Sequence, residues 1–305
     1  MPVARAPYLL LILPPLFWAS NWIVGRGFAV DIPPLAMTFL RWLFAVLILA
    51  PFAAPHLRED WPVVRQHWRA MLLFGVFGVG MNNAFTYVGL NYTTATNGVL
   101  LHSFLPVMII AISWVVLKQR LSLPQVAGVI LSLGGVLTIL CRGNLGLLAS
   151  FHLNIGDMFV IGSMLMWSVY TVGLRWHPVR IHLLTFLFVI ACIGDLAVLP
   201  FFAAEFLWVR RPEFTLTNIS ALLFVSVFSS ILAYIFWNRG VALVGANVAG
   251  LFVHLMPAFG VLLAWIFLGE KVAMFHVVSI GLVLSGIVLT TRFAPRVIAP
   301  SESLD

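Results

Sequence analysis

The chain has 305 residues, 62% of them hydrophobic and 9% charged, with a mean hydropathy of +1.07. Soluble domains are about 45–50% apolar and about 25% charged, so a water-soluble monomer is excluded. The formal charge of +7 comes from cations scattered over short segments, which points to the loops of a multi-pass membrane protein and not to a nucleic-acid partner.

Runs of about 20 apolar residues, enough to cross about 30 Å of hydrocarbon, recur along the chain. They lack the period-2 alternation of barrel strands, so helices are expected. The first span is read at 8–29, with Trp18 near its centre and Ser20 and Asn21 beside it. Arg5 precedes this run as it would a signal peptide. The run is longer than a usual signal core, carries Pro14 and Pro15 and lacks a small-x-small cleavage site, so it is read as uncleaved. Spans two and three are 34–53, which contains Arg41, and 70–90, which contains Asn82, Asn83, Thr86 and Tyr87. Span four, 95–117, carries His102, Ser103 and a mid-span Pro106, and span five is a glycine-rich 123–141. Span six, 155–175, has Trp167 near its centre beside Ser168, Tyr170 and Thr171. Span seven, 182–203, encloses Asp195, and span eight, 218–239, carries Tyr234, Trp237 and Asn238. Spans nine and ten are 245–268, with His254 and Pro257, and 273–292. The expected fold is an all-α integral membrane protein of ten transmembrane helices.

The chain is written twice. At an offset of 151, Phe85 matches Phe236, Gly89 Gly240, Ala95 Ala246, Pro106 Pro257, Trp114 Trp265, Leu117 Leu268, Val126 Val277, Leu133 Leu284 and Gly135 Gly286. A weaker echo at 149 links Trp18–Arg26 to Trp167–Arg175. Two five-helix repeats are expected at 1–143 and 153–293, followed by a cytoplasmic tail at 294–305. An odd number of spans per copy makes the copies face opposite ways. With the N-terminus in the cytoplasm, eleven Lys and Arg side chains fall inside and five outside, Arg41 lying within a span. That bias places both termini in the cytoplasm.

Missing chemistry is informative. The only two lysines are Lys118, followed by Gln119, and Lys271, followed by Val272, so neither belongs to a phosphate loop. There is no H-E-x-x-H, C-x-x-C or G-x-S-x-G. Cys141 and Cys192 have no metal or redox spacing and read as packing residues. No cluster of acids, histidines and a nucleophile suggests an enzyme, and no cofactor or metal is expected. Asp195 is the one carboxylate well inside a span. It is a candidate for carrying a coupling proton, or else a protonated group bonding a neighbouring helix.

Pro106 and Pro257 each remove an N–H from a helix and free a carbonyl four residues back. In lipid such groups must be covered by protein or face a water-filled cavity. Two interrupted spans at matching repeat positions point to a transport site near the midplane, with a bend that only shapes packing as the alternative. His102 with Ser103, and His254 one position out of register, gather near these breaks. Neutral imidazole both donates and accepts hydrogen bonds, though a lone His in an apolar helix is often only structural. Most tryptophans lie near span ends, whereas Trp18 and Trp167 sit mid-span. An aromatic wall with a few polar groups suits a molecule with one polar end, and helix packing is the competing reading. Glycines at 75, 78, 80, 128, 134, 135, 245, 250, 281 and 286 suit close helix approach, within a monomer or at a weak homodimer face.

Phe17-Trp18, then Pro106…Trp114…Leu117-Lys118-Gln119-Arg120 and Pro257…Trp265…Leu268-Gly269-Glu270-Lys271, with glycine-rich spans after each turn, resemble the drug/metabolite transporter superfamily of the EamA type. Gln119 stands where the repeat usually carries Glu. Within the superfamily the chain looks most like the bacterial aromatic amino acid exporters. The resemblance implies an inner-membrane carrier that exports neutral, often aromatic, amino acids by alternating access. Small multidrug relatives depend on an embedded Glu that is absent here. Nucleotide-sugar relatives need cations in the cavity, whereas Arg26, Arg41, Arg175 and Arg239 read as lying mostly at span edges. Trp18, Tyr87, Trp167 and Trp237 are expected to line the apolar part of the site, with Tyr234 nearby. Asn21, Asn83, His102, Ser103 and His254 are expected to hold the polar head, and Pro106 and Pro257 to serve as hinges. The partners implied are a small-molecule substrate and the bilayer. An efflux carrier for drugs or other small neutral metabolites, possibly proton-coupled, a channel and a membrane enzyme are the other readings.

Overall fold

In hydrocarbon the backbone must satisfy its own hydrogen bonds, and continuous apolar runs do so as helices. The computed structural model describes residues 6–27, 32–93, 98, 101–141, 143, 153–269 and 271–294. The expected tail beyond 294, the segment 144–152 between the expected repeats, Ala95 and Glu270 lie outside the described residues. The helices are α1 (Ala6–Gly27), α2 (Pro34–Gln66), α3 (Trp68–Tyr92), α4 (Leu105–Leu117), α5 (Leu123–Leu140), α6 (Ile155–Trp176), α7 (Leu183–Trp208), α8 (Leu216–Val244), α9 (Ala246–Phe267) and α10 (Met274–Arg292). Among the described residues there is no strand. Eight of these helices are long and apolar enough to cross a membrane. The other two apolar helices, Tyr8–Asn21 within α1 and α4, are shorter.

Three features differ from expectation, two of them with a clear physical cause. First, α2 continues to Gln66 through Pro51, Pro55 and Pro62, well past the expected end at 53. Neighbouring groups hold the extension: the His182 N–H donates to Asp60 Oδ2 (3.2 Å), and the His56 and His182 rings stack at 3.7 Å. Second, the apolar segment ending at Leu117 is not a helix continuous over 95–117 and bent at Pro106. A turn at 103–104 precedes a helix that starts at Leu105, and Pro106 sits in its first turn. A proline there gives up an N–H that has no helical acceptor anyway. In α9 a short 3-10 turn, Phe252–His254, precedes the α-helical stretch that holds Pro257. Third, Phe74–Gly80 and Val225–Leu232 are π-helical inside α3 and α8. Their starts differ by the same offset of 151.

Packing repeats too. Helix α1 packs on α8 and α9, while its counterpart α6 packs on α3 and α4; α2 pairs with α7 and α5 with α10. Glu205, near the end of α7, accepts from the N–H groups of Leu35 and Ala36 at the start of α2 (3.2 and 2.8 Å). The start of α7 meets Asp60 near the end of α2. These equivalent helices therefore run antiparallel. In the α5–α10 pair a Cβ on Gly286 would strike the Gly128 carbonyl, and one on Gly135 would lie 2.8 Å from the Ser279 carbonyl. This contact is antiparallel and self-complementary, as at a two-fold axis. Gly134 and Gly281, expected to pack, face open space.

Candidate functional site

One face of each of five helices points to a common centre. Helical spacing of three or four residues puts Trp18 with Asn21 on α1, Asn83 with Tyr87 on α3, Trp167 with Tyr170 on α6, and Tyr234 with Trp237 on α8. Helix α2 adds Arg41 and Trp42. The rings form one cluster: Trp18 meets Trp167 edge-on at 5.2 Å and Trp237 at 5.4 Å, Trp167 meets Tyr234 at 5.4 Å and Trp237 at 5.5 Å, and Tyr234 meets Trp42 at 4.9 Å. Trp42, Trp237, Tyr170 and Tyr234 are fully buried, whereas Trp18 is half-buried.

Equivalent residues of the two copies touch each other here. Trp18 and Trp167 are one such pair. Asn83 Nδ2 lies 3.4 Å from Tyr234 Oη, and His254 Nε2 lies 2.8 Å from the Ser103 carbonyl; both pairs are 151 residues apart. A pseudo-two-fold axis therefore runs through the aromatic cluster and the helix breaks. His254 is the counterpart of Ser103, which explains its one-position slip from His102.

Two hydrogen-bonded pairs flank the axis. On one side Asn21 Nδ2 donates to Tyr87 Oη (3.2 Å). On the other Tyr170 Oη donates to Asn238 Oδ1 (2.6 Å). By the offsets of 149 and 151, Tyr170 is the counterpart of Asn21 and Asn238 that of Tyr87. The same bond is built twice with Tyr and Asn exchanged. Asn21 and Tyr87 are half-buried, while Tyr170 and Asn238 are buried.

Arg41 joins the first pair. It is 3% exposed and so sits inside the protein, in the span where the sequence placed it. Its Nε donates to Ser230 Oγ (2.9 Å), one terminal nitrogen to Tyr87 Oη (2.9 Å) and the other to the Ser229 carbonyl (3.4 Å). Ser229 and Ser230 lie in the π-helical turn of α8, and the Ser229 carbonyl also accepts from Trp18 Nε1 at 3.2 Å.

The remaining expected residues are placed as follows. Tyr234 Oη donates to the Gly78 carbonyl (2.6 Å), and Asn83 Nδ2 also donates to the Val79 carbonyl (2.7 Å). Trp237 Nε1 donates to Thr171 Oγ1 (3.3 Å). His254 is buried with both ring nitrogens engaged, Nδ1 with Ser132 Oγ at 2.6 Å; it ties the two helix breaks together. His102, half-buried, bonds to the backbone of Gly98 and is not paired with His254. Asp195 is buried on α7, and its Oδ1 has no partner among the described residues. Cavities of about 540 and 380 Å³ lie between α2, α3 and α7 and between α3, α4 and α6, and neither is lined by Trp18, Trp167, Tyr234 or Trp237. No grouping of three or more metal-ligating side chains occurs among the described residues.

Known proteins share this architecture. A solved crystal structure matches with a TM-score of 0.78 at 18% identity, covering 96% of this chain and 98% of the other, a likeness of fold alone. An "Uncharacterized transporter" of Archaeoglobus fulgidus is 27% identical over 93% of this chain and 96% of its own length. The "Uncharacterized transporter YyaM" of Bacillus subtilis is 26% identical over 73% of each chain. "Protein PecM" of Dickeya dadantii is 26% identical over 90% of this chain and 89% of its own. The model of the EamA-like transporter family matches twice, at residues 5–141 and 154–292. With bacterial relatives and helices of membrane-crossing length, the chain is a multi-pass protein of the inner membrane. It belongs to the EamA-like transporter family, within the drug/metabolite transporter superfamily.

Proposed function

We propose that this transporter exports neutral, especially aromatic, amino acids by alternating access, as a facilitative carrier. The observation that carries this reading is the aromatic cluster on the pseudo-two-fold axis, flanked by two equivalent polar pairs. A ring-bearing side chain would slot among Trp18, Trp167 and Trp237 once the copies separate, while its amino and carboxylate groups take the polar rim. Ten spans in two inverted repeats, 1–143 and 153–293, with both termini cytoplasmic, give two such copies opposite orientations. The charge bias of the loops and the antiparallel pairing of α2 with α7 support that topology. The breaks before Pro106 and within α9 before Pro257 act as hinges, held together in this state by His254. The carrier works as a monomer or weak homodimer.

Counterflow of labelled Phe, Trp, Tyr, Met, Thr and Lys in proteoliposomes tests the substrate class. Stimulation by the aromatic and other neutral amino acids is expected. No stimulation by any neutral amino acid would sink the substrate assignment. A proton-coupled efflux carrier for drugs or small neutral metabolites is the second reading. It is favoured by one observation, the Asp195 Oδ1 that has no hydrogen-bond partner among the described residues. Concentrative uptake driven by an imposed pH gradient, lost in Asp195→Asn, would establish it over the facilitative one.

A further inference from the structure

Arg41 is the only charged residue in α2 between Pro34 and Leu57. It lies about 10 Å along the axis from the start of the helix. Taking a guanidinium out of water costs several kcal/mol unless a counter-charge or full hydrogen bonding compensates. Its three hydrogen-bond partners, Ser230, Tyr87 and Ser229, are all neutral, and the Trp42 ring lies 5.6 Å from the guanidinium carbon. No Asp or Glu forms a salt bridge with it among the described residues. The carboxylate of Glu205 on the paired helix is already used by two backbone N–H groups at the α2 start.

The hydrogen-bond count leaves room for a ligand. A guanidinium has five N–H donors; three are used, and the other two lie one on each terminal nitrogen. Tyr87 accepts from both Asn21 and Arg41, and no bond donated by its own hydroxyl occurs among the described residues. Among the described residues no anion meets the two spare N–H groups or the Tyr87 O–H. Ionisable groups kept within a membrane mark substrate paths, and arginine suits a planar, two-oxygen acceptor. At the counterpart position, by the offset of 149 that also aligns Pro51 with Pro200, stands the buried Ile190. The cation therefore belongs to one half of the site alone.

We propose that Arg41, with Tyr87 and Asn21 beside it, binds the carboxylate of the transported molecule, so that the substrate must carry a single carboxylate. This deepens the amino-acid reading and rests on it for the identity of the rest of the molecule. The single cation leaves a phosphate's second charge unmatched. Trp18, which shares the Ser229 carbonyl with Arg41, puts the aromatic wall next to the carboxylate site.

The test uses full-length protein in proteoliposomes and in detergent, with phenylalanine, 3-phenylpropionate (no amine) and phenethylamine (no carboxylate). Phenylalanine and 3-phenylpropionate are expected to compete for labelled phenylalanine counterflow and to quench tryptophan fluorescence on binding, while phenethylamine does neither. Arg41→Gln is expected to weaken phenylalanine and 3-phenylpropionate binding about tenfold or more, and Arg41→Lys to restore part of it. Tyr87→Phe, which keeps the guanidinium, guards against loss of folding and is expected to weaken binding less. If phenethylamine binds as well as phenylalanine, or well-folded Arg41→Gln binds 3-phenylpropionate like the native protein, the assignment is overturned. If phenylalanine is not transported but 3-phenylpropionate binds in an Arg41-dependent way, the amino-acid reading fails and the carboxylate site stands.

Discussion

The two polar pairs beside the axis are the same bond in two environments. Asn21–Tyr87 is half-buried and carries the guanidinium of Arg41; Tyr170–Asn238 is buried, uncharged and closed by surrounding rings. Duplicated sequence thus supplies two pairs at equivalent places, and one of them has gained a cation and is less deeply buried. A carrier that exposes one half at a time needs equivalent halves for the motion. It needs unequal chemistry if the substrate is to lie with its polar end in a fixed direction.

Substitutions at matched positions can break or sharpen that comparison. The largest effect is expected at the central tryptophans. Trp167→Ala in the buried cluster should cost about 3–5 kcal/mol, read as the melting temperature in detergent. Trp18→Ala, at the half-buried counterpart, should cost clearly less stability while lowering transport more. Equal stability losses would mean that the two sides are packed alike. Next come the amides. Asn238→Ala leaves the Tyr170 hydroxyl buried without an acceptor and should cost about 1–3 kcal/mol. Asn21→Ala should cost less than about 1 kcal/mol, because Tyr87 still accepts from Arg41. The smallest effect lies outside the site, at two turns that are also counterparts. Lys118 and Gly269 both adopt the left-handed conformation after α4 and α9, with φ of 56° and 66°. Lys118→Gly should gain up to about 1 kcal/mol, and Gly269→Ala should lose about 1–2, again by thermal melting.

Much of the architecture was legible because duplication preserved residue types. The proline pair, the two mid-span tryptophans and the glycine-rich spans mark the repeat by identity alone, and each occupies a related place in the fold. The site was less legible wherever the copies differ. Arg41 faces a repeat partner, Ile190, that hides its role, and its burial depends on α8 from the other copy. The exchange of Asn21–Tyr87 for Tyr170–Asn238 preserves a bond while swapping both residues, so residue-by-residue alignment shows no match. His254 carried the right signal for position and the wrong one for availability: its nitrogens are spent on Ser103 and Ser132, partners remote in sequence. The length of α2 was missed because the apolar run that marked the span gives way to Arg58, Glu59 and Asp60, while the contacts with His182 that hold the helix come from α7 and the residue before it. Nothing in Phe74–Gly80 or Val225–Leu232 announces a π-helical turn, which shows only in the backbone.

The central claim is that the two half-sites open in turn to opposite faces of the membrane. Single cysteines placed by Asn21→Cys and Asn238→Cys, with Cys141 and Cys192 replaced, can be labelled in proteoliposomes by a membrane-impermeant thiol reagent added from either face. The account predicts that position 21 reacts from one face while position 238 is protected. A phenylalanine gradient should then exchange the two, slowing labelling at 21 and opening 238 to the other face. Labelling of both positions from the same face, or of both at once without exchange, would contradict it.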